Sequence, residues 1–161
     1  MRYYLAYGSN LNKQQMAWRC PDAVPVGTAW IDDYELLFKG SMSGAYLTIE
    51  QKKGSKVPVA VWAVNETDEN ALDAYEGFPS FYYKKNMTLD VKFYNGLTER
   101  TECFVYIMHE NRQVAIPSRM YMTTCIQGYH DFDFDIDYLE QAFENSSRQG
   151  WHIVVGSNKR G

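Results

Sequence analysis

Between residues 23 and 108 the chain is an almost unbroken succession of strand-like runs, interrupted by one helical segment. Strands that follow one another closely pair with their neighbours, so this order predicts an α+β protein, with five to seven strands, enough to close into a barrel. Gly27–Ile31 and Tyr34–Phe38 alternate in character and break at Asp32-Asp33, reading as one bent strand or as two strands meeting at an acidic bend. Gly40–Gly44 reads as a loop, Ala45–Glu50 as a strand, and Gln51–Lys56 as a solvated hairpin loop. Val57–Val64 is apolar enough for a strand buried on both faces, with Pro58 tolerated near its start. Tyr82–Tyr94 and Thr98–Met108 form the next pair, and Asn95-Gly96 between them signals a type I′ hairpin turn.

Helices are expected at the junctions. One opens over Asn65–Asp68, with Thr67 as cap and Asn70 in the third helical position, and ends at Glu76-Gly77 with Pro79 beyond. Pro117-Ser118 reads as the entry of a second helix running to about Gly128, and Asp131–Asp137 as an acidic-aromatic loop. Ile136–Gln149 reads as a last amphipathic helix, Trp151–Val155 as a short closing strand and Ser157–Gly161 as a tail. Repeats and linkers are absent from the pattern, so residues 1–161 are expected to form a single domain.

The charge pattern narrows the partners. Net charge is −4, and the basic residues are scattered rather than gathered, which argues against nucleic acid or an anionic membrane surface. Cys20, Cys103 and Cys125 are odd in number and widely spaced, so neither a disulfide framework nor a zinc site is expected, and a reducing cytoplasm fits. His109, His130 and His152 lack metal-ligand spacing, and Asp131, Asp133, Asp135 and Asp137 lack the glycine and terminal Glu of a calcium loop. No metal or cofactor is called for.

Two stretches carry chemistry. The first is Tyr7-Gly8-Ser9-Asn10-Leu11, between the short apolar strand Tyr3–Ala6 and a helix over Asn12–Arg19 capped by Asn10 or Asn12. Gly8 permits a sharp turn, and a strand, a glycine turn and a helix start together gather backbone N–H groups suited to a carboxylate. The same stretch also reads as an ordinary strand-to-helix turn. The second is Glu76, at a helix C-terminus where the dipole disfavours negative charge, among Leu72, Ala74, Tyr75, Gly77, Phe78 and Phe81. Apolar surroundings push a carboxyl's pKa up toward the range useful for moving protons at neutral pH. A surface Glu that happens to end a helix is the plainer alternative. Tyr82, Tyr83 and Tyr121 are candidate pocket hydroxyls.

Five pieces in order resemble the gamma-glutamylcyclotransferase-like, or AIG2-like, family: Tyr7-Gly8-Ser9-Asn10-Leu11; Met16 with Arg19-Cys20-Pro21; Gly44–Ile49; Leu72-Asp73-Ala74-Tyr75-Glu76-Gly77; and Pro117-Ser118 with Tyr121 and Gly128. The first and fourth are the specific ones. The resemblance implies a compact mixed β-barrel with flanking helices and a pocket at one mouth, and Tyr7, Gly8, Ser9, Asn10 and Leu11 holding the gamma-glutamyl moiety through backbone donors. It puts the catalytic Glu on Glu76, and pocket tyrosines on Tyr83 (or Tyr82 with a one-residue gap) and Tyr121. No metal or cofactor enters, the partner is a small-molecule gamma-glutamyl substrate, and no oligomeric state follows from it.

The reaction so implied is intramolecular: the substrate's α-amine attacks its own γ-carbonyl, releasing 5-oxoproline and a free amine or amino acid, with Glu76 as general acid and base. Two alternatives stand beside it. One is a non-catalytic binding module for a small carboxylate. The other is a cyclotransferase or hydrolase acting on a specialised gamma-glutamyl adduct.

Overall fold

The computed structural model describes residues 1–41 and 44–158. Six strands are present: β1 (Arg2–Ala6), β2 (Val24–Ser41), β3 (Gly44–Val64), β4 (Tyr82–Phe93), β5 (Thr98–Met108) and β6 (Gln113–Val114). Four helices flank them: α1 (Lys13–Arg19), α2 (Glu66–Glu76), α3 (Arg119–Asp131) and α4 (Asp137–Asn158). The strand order is β3-β1-β5-β4-β2-β6, and β2 also pairs with β3, closing a five-strand ring with β6 added at the edge of β2. The expected α+β barrel is therefore the architecture found.

Closure depends on β1. It runs antiparallel to β3 and parallel to β5, with Tyr4 opposite both Trp62 and Phe104. Its chain thus enters the ring at a seam buried on both sides, which is why Tyr4, Leu5 and Ala6 are all in the core. Val57–Val64 is buried along its whole length, as its unbroken apolar run predicts. On the outside, α4 lies along β2, and Ser146 Oγ accepts the Phe38 N–H at 2.9 Å.

Several boundaries differ from expectation. Gly27–Ile31 and Tyr34–Phe38 belong to one strand, bent where the register shifts between Asp32 and Tyr34. Gln51–Lys56 does not form a hairpin loop: it remains in β3, and residues 52–55 bulge outward where Asp33, at φ 60°, accepts the Gly54 N–H. Of the expected Gly40–Gly44 loop, Gly40 and Ser41 end β2, Gly44 starts β3, and Met42 and Ser43 lie outside the described residues. The β4–β5 turn is not type I′, because Gly96 has a positive φ and Asn95 does not. It closes with Gly96 N–H to the Phe93 carbonyl and Phe93 N–H to the Leu97 carbonyl, a longer hairpin with glycine at its bulge.

Helix α2 is capped by Asn65, not Thr67: Asn65 and Asp68 each accept the other's backbone N–H in a capping box. Ser118 caps α3 as the Pro117-Ser118 signal predicts, though that helix runs on to Asp131. Trp151–Val155 is not a strand; the backbone there continues α4, as do Ser157 and Asn158 of the expected tail, whose last three residues lie outside the described set. Among the described residues no helix is long and apolar enough to cross a membrane.

Candidate active site

A cavity of about 340 Å³ opens at one mouth of the barrel. Its floor is the chain leaving β1. Tyr7 is followed by a single 3-10 turn, Ser9–Leu11, and then by α1, whose N-cap Asn12 accepts the Gln15 N–H. Gly8 is needed here for space: its φ is negative, and an added Cβ would sit 3.3 Å from Leu47 Cβ and 3.4 Å from the Tyr121 hydroxyl. From below, α3 presses directly on the turn. A Cβ on Gly128 would lie 2.7 Å from Leu11 Cβ and from the Asn12 nitrogen, so only glycine admits this approach.

Helix α2 brings Glu76 to the opposite wall, at its last residue, before Gly77 leaves the helix at φ 62°. A left-handed residue at this point turns the chain away at once and leaves the Glu76 side chain over the cavity. Glu76 keeps some accessible surface as a residue, yet its carboxyl is closely surrounded. Burial raises it from about 4.5 to about 8, against the opposing pull of the Arg19 charge. Among the described residues its carboxyl receives one hydrogen bond, a long one, from Asn10 Nδ2 at 3.4 Å.

Seven of the fifteen lining residues are tyrosines, whose rings and hydroxyls give the wall apolar and polar surface in similar measure. Tyr7 donates to the Tyr106 carbonyl at 2.7 Å, and Tyr82 to the Leu47 carbonyl at the same distance. Tyr121 accepts the Leu47 N–H at 3.0 Å, and Ser9 Oγ lies 2.9 Å from the Tyr75 hydroxyl. Behind the turn, Arg19 bonds Asn10 Oδ1 and Gln15 Oε1, and its guanidinium lies 3.4 Å over the Tyr75 ring.

Tyr7, Gly8, Ser9, Asn10, Tyr121 and Glu76 thus come together around one space, from chain positions more than a hundred residues apart. Two expected members do not. Leu11 is fully buried and points into the core, anchoring the turn rather than facing the cavity. Tyr83 is also displaced: successive strand residues face opposite sides, so Tyr82 lines the cavity while the Tyr83 hydroxyl donates to Glu110 elsewhere. The cavity also recruits Tyr4, Tyr46, Tyr75, Phe81 and Tyr106, which sequence reasoning did not assign to it. Tyr106 carried a usable signal, since it shares a strand face with Met108 in a run too apolar to expect an exposed hydroxyl. Tyr4 and Tyr46 carried none beyond being aromatic.

The family model described as gamma-glutamyl cyclotransferase, AIG2-like, matches residues 4–123. The gamma-glutamylcyclotransferases of Homo sapiens and Mus musculus are 30% and 31% identical over 145 residues, covering 86% of this chain and 75% of each relative. A solved structure of a gamma-glutamyl cyclotransferase superposes with a TM-score of 0.74 at 28% identity, covering 88% of this chain and 85% of that one. With the family model matched over most of the chain and the fold shared, the chain belongs to the gamma-glutamyl cyclotransferase, AIG2-like family.

Proposed function

We propose that the chain, acting as one domain, is an intramolecular gamma-glutamyl cyclotransferase that releases 5-oxoproline and a free amine or amino acid, with Glu76 as its acid and base. The observation that carries this reading is a carboxyl that makes no ion pair among the described residues, raised to about 8, inside an aromatic cavity beside the Tyr7–Asn10 turn. Such a group holds or gives up a proton near neutral pH, which is what the chemistry asks.

The substrate brings its own nucleophile. Its α-amine closes a five-membered ring on the γ-carbonyl carbon, a new C–N bond forms, and the bond to the departing nitrogen breaks. Neither water nor a covalent intermediate is required. Held in the ring-closing conformer, an intramolecular nucleophile reaches effective concentrations of roughly 10⁵ M or more. The α-amine attacks as the neutral NH2; Glu76 takes the proton that this nitrogen sheds as the ring closes and delivers it to the leaving nitrogen, so the carboxylate ends as it began. The N–H groups of Gly8, Ser9 and Asn10 head the turn and orient the gamma-glutamyl end. Tyr121 and Tyr82, in place of Tyr83, complete the wall around it. The cytoplasm is the setting we infer, and the three free, buried cysteines agree with a reducing one.

The test is incubation with a panel of gamma-glutamyl amino acids and gamma-glutamyl amines, following 5-oxoproline by mass spectrometry beside Glu76→Gln. Product from wild type alone supports the assignment and identifies the acceptor class. Full activity in Glu76→Gln removes Glu76 from the mechanism. A ligand bound by wild type and returned unchanged over hours selects the binding module instead.

A further inference from the structure

The cavity tyrosines sort by what each does with its hydroxyl proton. Tyr7, Tyr82 and Tyr106 spend theirs on fixed protein acceptors: the Tyr106 carbonyl, the Leu47 carbonyl and, at 2.6 Å, the Asp73 carboxylate. Tyr4 does the reverse. Its oxygen accepts from Asn10 Nδ2 at 2.9 Å, and among the described residues no acceptor stands within hydrogen-bonding distance for its own proton. Tyr4 is buried, yet it lines the cavity together with Glu76.

Arg19 fixes this direction. A guanidinium has donors only, so the Asn10 atom it bonds must be the amide oxygen. The amide nitrogen is then forced toward Tyr4 and Glu76, and it cannot turn over while Arg19 is held by Gln15 and stacked on Tyr75. A Tyr4 oxygen that accepts from Asn10 has its proton left for whatever enters the cavity.

We propose that Tyr4 is a further hydrogen-bond donor of the site, aimed at the substrate's γ-carbonyl oxygen as the ring closes, with Arg19 as a positioning residue acting through Asn10. The assignment rests on the cyclotransferase reading. Attack by the α-amine moves electrons onto the γ-oxygen, and a fixed donor is worth most where charge develops. No proton leaves Tyr4. Burial, reinforced by the Glu76 charge, pushes its hydroxyl well above the ordinary tyrosine range, so it stays neutral and donates. Once the oxygen returns to a carbonyl in 5-oxoproline, the bond weakens and the product is free to leave.

Tyr4→Phe removes the hydroxyl alone, keeping a ring that packs 5.5 Å from Phe104 and 5.7 Å from Tyr106. Kinetics are measured on the gel-filtered folded fraction, so that lost folding does not pass for lost catalysis. The expected result is a fall in kcat of about 10²-fold with KM changed by less than ~3-fold. Activity within ~3-fold of wild type overturns the proposal, as does a rise in KM alone, which would put the hydroxyl on a ground-state contact. Arg19→Met is expected to lower kcat roughly 10-fold in the wild-type background and to add nothing on top of Tyr4→Phe, each at its own pH optimum. Additive losses overturn the positioning role. If wild type makes no 5-oxoproline, the cyclotransferase reading fails and takes the Tyr4 role with it. If wild type turns over, Glu76→Gln does not, and Tyr4→Phe runs at full rate, the Tyr4 assignment alone fails.

Discussion

Helix α2 carries Glu69, Asp73 and Glu76 along one stripe, at spacings of four and three, and the first two meet a fate opposite to the third. Lys84 of β4 bonds Glu69 at 2.8 Å and Asp73 at 2.9 Å, and Arg2 adds a second cation to Glu69 at 2.6 Å. Two residues back on the same face of β4, where a third cation would stand to serve Glu76, the chain has Tyr82. The difference between Asp73, paired at 2.9 Å, and Glu76, which forms no ion pair among the described residues, is thus made on the neighbouring strand. A carboxylate given a cation holds the helix to the barrel. One given a tyrosine keeps its proton to about pH 8.

The largest break in this contrast comes from Glu76→Gln, expected to lower turnover by roughly 10³-fold or more. In wild type, kcat/KM should rise with pH up to about 8 as the base form of Glu76 appears. Stability should move the other way. The folded carboxyl holds its proton to about 8 and the unfolded one only to about 4.5, so wild-type stability falls as pH rises through that window. Glu76→Gln escapes the loss, and its thermal midpoints should match wild type near pH 4 while showing a gain on the order of 2 kcal/mol at pH 9.

Gly128→Ala disturbs the cavity from behind, because its Cβ meets backbone and Leu11 at 2.7 Å and α3 must back away from the turn. A loss of roughly 1–3 kcal/mol in denaturant titration is expected, with kcat/KM reduced. Lys84→Met sharpens the comparison from the anchored side. It should cost about 1 kcal/mol and leave turnover within ~10-fold, since Asp73 loses its cation while the charge acting on Glu76 is that of Arg19, not Lys84. Arg2→Ala is the smallest, under ~0.5 kcal/mol by the same titration, because that side chain is half exposed and Lys84 still holds Glu69.

Much of this was legible in the sequence because local signals decide it. The runs over residues 23–108 become the barrel, Ser118 caps its helix, and Glu76-Gly77 ends another among apolar neighbours. What escaped depends on register and on partners far along the chain. Tyr82 and Tyr83 are interchangeable as neighbours in a list, and only pairing with Met108 and Ile107 decides which ring turns inward. Gln51–Lys56 has the composition of a turn, yet its flanks stay paired with β2, so the excess length swells outward instead of reversing the chain. Thr67 and Asn65 both suit a cap, and the reciprocal bond with Asp68 chose the earlier one. Tyr4, Tyr46 and Tyr106 come from three different strands, and their meeting is a property of the closed ring.

That closure has a consequence for how the acid comes into being. β1 joins the ring by pairing residues 2–6 with residues 60–64 on one side and with β5 on the other, bridging nearly a hundred positions of sequence. Until that seam forms, Glu76 is an ordinary solvated carboxylate at the end of a helix. At pH 7 the folded carboxyl, raised to about 8, holds a proton that the unfolded one has lost, so folding and proton uptake are linked at this residue.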